Sequence, residues 1–285
     1  MFVSDDLVFI ELHKTGGSHI GRCLKSILTG SQQGKHNLIP TNLHDRYVIG
    51  SIRNPWDWYV SLWAFGCGKE GGLYQRSTGK PDWAYYWYQI NKPKYSKWLT
   101  LGRLHSQIVA DFKRNSDEWA ESYRSSEDPT CFRLWLKLMT STANKFDLAE
   151  GYAFSPISQQ YGFLTYRFFR LFTSLHDSIY KDSTLESMNG LEIAWEKHSI
   201  VDHFVRNENL ENDLILALTD AGIELQLEDI DLIESGSKNK TNTSKRNSME
   251  FYYDEKSIER VRRREAFIIN KFEYEAPCLN PVSTK

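Results

Sequence analysis

Apolar positions along this chain alternate between two periods. "LVFIEL" (residues 7–12) is a short unbroken apolar run, the pattern of a strand buried on both faces of a parallel sheet. After the Gly16-Gly17 pair, Ile20, Cys23, Leu24, Ile27 and Leu28 recur at helical spacing, and the polar "TGSQQGK" closes that helix. The order then repeats. "YVIGSIR" (47–53) predicts a second strand, Asn54 a helix N-cap, and Pro55 the first position of the helix "WDWYVSLWAF". Residues 101–149 predict helices, with 131–139 the clearest. "SIVDHFVR" (199–206) predicts another strand, and "NENLENDLILALTDAG" a loop and a helix closing at Gly222. One last helix over roughly 254–272 sets Ile258, Val261, Ile268, Ile269 and Phe272 on one face. Strand–turn–helix twice over predicts an α/β fold with a central parallel sheet flanked by helices.

Two stretches break the pattern. Residues 66–100 are Gly-rich and then dense in Tyr and Trp, and "SGSKNKTNTSKRNS" (235–248) is polar and cationic. Neither splits the chain, so the expectation is one domain over residues 1–285 with an aromatic-rich insertion around 66–100. Composition narrows the function classes. A net charge of −2 gives no global attraction to nucleic acid or an anionic membrane, though it leaves room for a local basic pocket. Cys23, Cys67, Cys131 and Cys278 show neither CxxC spacing nor a Cys/His metal grouping, so they read as free thiols of a reducing compartment. The chain opens directly on a strand and holds no apolar run of about 20 residues, so a cytoplasmic protein without membrane contact is expected.

The chemistry concentrates in "LHKTGGSH". The glycines let backbone N–H groups converge on an anion, and the following helix adds the positive end of its dipole. Lys14 supplies a point charge, and Thr15 and Ser18 supply hydroxyls. Because Lys14 precedes the glycines, the loop is not the nucleoside-triphosphate pattern G-x-x-x-x-G-K-[ST], and no acidic strand end offers itself for magnesium. A plain tight turn accounts for the loop equally well. In "RNPWDWYVS", Arg53 ends a strand and Ser61 follows two helical turns later. The planar fork of an arginine suits phosphate, and it equally suits a carboxylate or a helix end.

Taken together, the strand–KTGGS–helix and strand–RNPxxxxxS–helix motifs resemble the sulfotransferases that use 3′-phosphoadenosine 5′-phosphosulfate (PAPS). The likeness is closest to the Golgi-type carbohydrate sulfotransferases and their bacterial relatives. The resemblance implies a P-loop-like three-layer fold and transfer of a sulfuryl group to an acceptor hydroxyl, with a saccharide the expected acceptor. No metal and no nucleic acid take part. It assigns the 5′-phosphosulfate to Lys14, Thr15, Gly16, Gly17 and Ser18, with His19 beside them, and the 3′-phosphate to Arg53 and Ser61. "FVRNENL" and the segment around 235–275 resemble later parts of the same family. They imply a loop covering the nucleotide, with Lys240, Ser244, Lys245 and Arg246 as candidate contacts.

In-line transfer at sulfur needs a cation at the leaving oxygen, which is Lys14, and a base for the acceptor proton. His36 lies in the interval where related chains carry such a histidine and is the first choice. His44 is the reserve, and Glu11 serves if the acceptor approaches from the strand side; His13, just before Lys14, is a candidate contact to the phosphosulfate or a satisfied strand-end residue. "YGFLTYRFFRLF" resembles a segment of the same family near the acceptor cleft, which implies Gly162, Thr165 and Arg167 as candidates for the acceptor side, and the aromatic insertion is a candidate stacking wall or an ordinary packed segment. The alternative reading is a P-loop-like kinase of a small molecule using Mg-ATP.

Overall fold

Four consecutive apolar residues of "LVFI" are all buried, as a strand covered on both faces requires. The computed structural model describes residues 1–81, 83–84, 86–87, 101–235 and 246–279, which fold into two compact units. The first comprises Met1–Asn54, Arg167–Leu175 and Ala194–Thr243; the second comprises Pro55–Tyr166, His176–Ile193 and Ser244–Lys285.

The first unit is built on a five-stranded sheet of β1 (Phe2–Ser4), β2 (Leu7–Ile10), β3 (Gly30–Gln32), β4 (Tyr47–Ile52) and β5 (His203–Arg206). Their order is β3-β1-β2-β4-β5. The sheet is mixed, which corrects the expectation of a parallel one. β2, β4 and β5 run parallel, but β1 pairs antiparallel with both β2 and β3. The turn from β1 to β2 is closed by Ser4, whose Oγ accepts the Leu7 N–H at 3.1 Å. Helix α1 (Gly17–Ile27) follows β2, and its apolar stripe of Ile20, Cys23 and Leu24 packs with Phe9, Ile49 and Val205. The helices Leu210–Asp220 and Leu227–Ser235 complete that core through Leu214, Leu218 and Ile233.

Strand alternation sends the neighbouring residues to the other face. There Phe204 of β5 meets Phe168 and Phe172 at ring separations of 5.5 and 5.1 Å, and Phe168 meets Trp195 at 4.8 Å. A side chain at Gly50 would press on the Phe204 ring, 2.7 Å away, so glycine is what lets this aromatic layer reach the sheet. The unit is therefore α/β, a sheet with helices on both faces.

Every element described in the second unit is helical, beginning with α2 (Pro55–Cys67). Its core is aromatic: Trp56, Trp58, Trp63, Trp119 and Trp135 are each 0–1% exposed. A buried indole must place its N–H. Trp63 donates to Ser122 O at 2.8 Å, and Trp119 donates to Asp147 Oδ2 at 3.0 Å. The interval 101–149 is helical as predicted, with helices Leu101–Lys113, Ser116–Ser122 and Pro129–Thr140. The single helix expected over 254–272 is instead two, Glu255–Arg264 and Ala266–Phe272, broken where Glu265 leaves helical geometry. Of the aromatic insertion, Tyr86 is buried and donates to Asp111, whereas Trp83 and Trp87 are 64% and 71% exposed. Tyr85, Tyr88, Tyr95 and Trp98 lie outside the described residues. No helix among the described residues is long and apolar enough to cross a membrane.

Candidate functional site

Three parallel strands end together in the first unit, which is where open α/β sheets hold their ligands. β2 runs into the loop 11–16, β4 ends at Ile52 just before Arg53, and β5 ends at Arg206, followed by the short helical turn Asn207–Asn209. The loop needs two left-handed residues in close succession, Lys14 (φ 63) and Gly16 (φ 84). They turn the chain so that α1 begins at Gly17. A Cβ on Gly16 would collide with Leu210, and one on Gly17 would collide with the Glu11 side chain. The protein's own packing thus demands both glycines.

Two side chains fix this loop from beneath. Thr15, fully buried, donates its hydroxyl to Leu12 O at 2.7 Å, and its Oγ1 meets Ser51 Oγ of β4 at 2.6 Å. Its hydroxyl is therefore spent on the fold, and what Thr15 offers outward is its backbone. Arg53 Nη1 donates to Lys14 O at 3.0 Å, joining the two sequence motifs directly. Among the described residues, the backbone N–H groups of Thr15, Gly16, Gly17 and Ser18 donate to no protein acceptor, whereas those of His19 and Ile20 both return to Gly16 O. Four consecutive open donors, running from the loop into the first turn of an 11-residue helix, form a nest of the kind suited to an anion. Ser18 is exposed and accepts from Lys35 Nζ at 3.3 Å.

Histidines line one wall. His36, in the left-handed region at φ 55, stacks on His13 with ring centroids 3.3 Å apart and planes 15° from parallel. Its Nδ1 lies 2.9 Å from Glu11 O. A carbonyl only accepts, so Nδ1 carries the hydrogen and Nε2 carries the lone pair. Burial first, then the charges of Arg167, His36, Arg170 and Lys14, push His13 far below the usual imidazole range. His13 therefore stays neutral, and Arg167 is brought to the loop by tertiary structure. One consequence concerns stability. Above about pH 6.5 His13 is neutral in both states; below it, only the unfolded chain takes up the proton. The first unit should lose roughly 1.4 kcal/mol per pH unit from this group on acidification, with His19, also held low by burial, adding in the same direction. Urea unfolding at about pH 7 and about pH 5.5 measures the slope, and His13→Phe should reduce it.

The other predicted residues have surroundings of their own. His19 lies beside Cys23, 3.7 Å from Nε2 to Sγ, and the Cys23 thiol is pushed by burial up to about 11, so the pair is no thiolate nucleophile. His44 precedes β4, at the end of the strand away from Arg53. In the second unit, Ser61 is buried in α2, and Arg246 pairs with Asp57 at 2.6 Å. Lys240, Ser244 and Lys245 lie outside the described residues. Gly162 and Thr165 surround a buried carboxylate, that of Glu265. Thr165 gives it both its N–H (2.8 Å) and its hydroxyl (2.6 Å), and Tyr59 donates from the other side.

Sequence reasoning passed over Glu265 because it closes the charged run "RVRRRE", which reads as a solvated face. It also passed over Arg170, although Arg167 and Arg170 share a face at i, i+3 spacing, and over Asn207, whose side-chain nitrogen would lie 2.9 Å from a Cβ on Gly16. No group of His, Cys, Asp or Glu suited to a metal ion occurs among the described residues. Comparisons with protein families, curated proteins and solved structures find no match to this chain.

Proposed function

We propose that the chain is a sulfotransferase that moves the sulfuryl group of PAPS to an acceptor hydroxyl, with a saccharide as the acceptor and a P-loop-like fold as the scaffold. The observation that carries this reading is the joint arrangement of the two motifs. Four open N–H donors, the Lys14 side chain and the Arg53 guanidinium meet at the ends of adjacent parallel strands, and the Arg53–Lys14 bond couples them.

In this reading the nest and Lys14 hold the phosphosulfate, and Arg53 turns its guanidinium to the nucleotide's phosphate. The reaction is an in-line displacement. His36 Nε2 takes the acceptor's proton as its oxygen bonds to sulfur, and Lys14 meets the negative charge that passes to the nucleotide's bridging oxygen as the old S–O bond breaks. Adenosine 3′,5′-bisphosphate (PAP) and a sulfate ester leave, and His36 returns its proton to water. With Lys14 preceding the glycines and tied by its carbonyl to Arg53, the loop departs from the arrangement that holds Mg-ATP.

The test is transfer of labelled sulfate from PAPS to a panel of saccharide, phenolic and lipid hydroxyls. Labelled ester with PAP released in equal amount supports the reading. Phosphoryl transfer from Mg-ATP to any of the same acceptors would replace it with a kinase.

A further inference from the structure

The proposed base does not stand alone, and its neighbour is unlike an ordinary loop residue. His13 and His36 face each other ring to ring at 3.3 Å, nearly parallel, and the same loop provides the Glu11 carbonyl that receives His36 Nδ1. One ring plane and one hydrogen bond are enough to fix an imidazole in space. The Glu11 carbonyl fixes the tautomer, which in the neutral ring puts the lone pair on Nε2, and the His13 face fixes the tilt.

His36 sits on a left-handed backbone between exposed neighbours, in a segment whose buried residue is Ile39. The permanent charges bearing on His13 are cationic: Arg167 and Arg170 from the helix Phe163–Phe172 and Lys14 from its own loop. A second proton on this pair would meet all of them, so His13 is suited to support and unsuited to carrying a proton.

We infer that His13 is a positioning residue whose stacked ring holds His36 with Nδ1 on the Glu11 carbonyl and Nε2 presented as the proton acceptor. The inference rests on the proposed sulfuryl transfer for its kinetic consequence, and on the His13–His36–Glu11 geometry alone for its structural one.

The test uses the full chain and two variants, His13→Ala, which removes the stacking face, and His13→Phe, which keeps a face but has no ring nitrogen. Nitrogen chemical shifts of His36 report its tautomer without any turnover. The wild type and His13→Phe should show the Nδ1–H form, and His13→Ala a mixture of the two forms. With PAPS and an acceptor, His13→Ala should lower kcat by roughly 10- to 100-fold while KM for PAPS stays within about 3-fold, and His13→Phe should keep most of kcat and the wild-type pH profile. An unchanged His36 tautomer in His13→Ala would overturn the inference. So would a His13→Phe variant as inactive as His13→Ala, since that would make His13 a proton carrier. A wild-type chain that turns over no PAPS would sink the sulfuryl-transfer reading, while the His36 signals would still decide the positioning role.

Discussion

Replacing Lys14 with alanine should lower kcat for sulfuryl transfer by about 100- to 1000-fold while leaving the folded chain intact. The size follows from removing one fixed charge aimed at an atom where negative charge develops, worth about 3–4 kcal/mol. The fold should tolerate the change because the backbone contribution of Lys14 to the loop is kept. Its carbonyl accepts from Arg53, and its φ of 63 is no worse for alanine than for lysine. Steady-state kinetics with PAPS, beside a thermal melt of both chains, checks this. A drop in kcat with an unchanged melt is the expected pair of results, and equal turnover by both chains would remove Lys14 from the mechanism.

Glu265→Ala should destabilise the second unit by about 3–5 kcal/mol, the largest stability effect anticipated for a single side chain here. Glu265 is wholly buried and receives the Thr165 N–H, the Thr165 hydroxyl and the Tyr59 hydroxyl. It thereby satisfies the first turn of the helix Phe163–Phe172, as a cap would, but from a distant part of the chain. Alanine strands those donors and opens a cavity at once. Glu265→Gln should cost far less, about 1.5 kcal/mol or below. Its carbonyl can stay on Thr165 while its amide donates to the Tyr59 oxygen. Burial raises the Glu265 carboxyl above the usual carboxylate range, against the pull of the Thr165 and Tyr59 donors. The folded chain therefore keeps that proton to a higher pH than the unfolded one, and this group's contribution to stability declines as pH rises out of the carboxylate range. Glu265→Gln should remove that decline. Urea unfolding followed by the fluorescence of the buried tryptophans measures all of it.

These two residues mark what was legible in the sequence and what was not. Lys14 stands in a local pattern in which an apolar run, a Gly-Gly turn and helical spacing follow within twenty residues, and the structure reproduces β2, the turn and α1 nearly to the residue. β4 and the helices of 101–149 were legible for the same reason, since their periodicity is long and clean. β1 and β3 were not. Each is three residues long, and Gly-Ser-Gln at an exposed sheet edge has no apolar signature, so the antiparallel half of the sheet stayed hidden. Thr15 was legible as part of the loop but not in its role, because its partner Ser51 comes from another strand. Glu265 and the His13–His36 stack depend wholly on contacts between distant segments, which no local pattern encodes. Gly162 and Thr165 were expected on the acceptor side, and the Glu265 carboxylate they enclose was not legible at all.

The most direct measurement of the central claim needs no knowledge of the acceptor: the thermal melt of the chain with PAP, compared with ATP in the presence and absence of magnesium. A ligand at about 100 times its Kd stabilises the folded state by roughly 2.7 kcal/mol, which for a chain of this size raises Tm by about 5 °C or more. The account predicts that rise with PAP, independent of magnesium and lost in Arg53→Ala. A rise with Mg-ATP and none with PAP would contradict it.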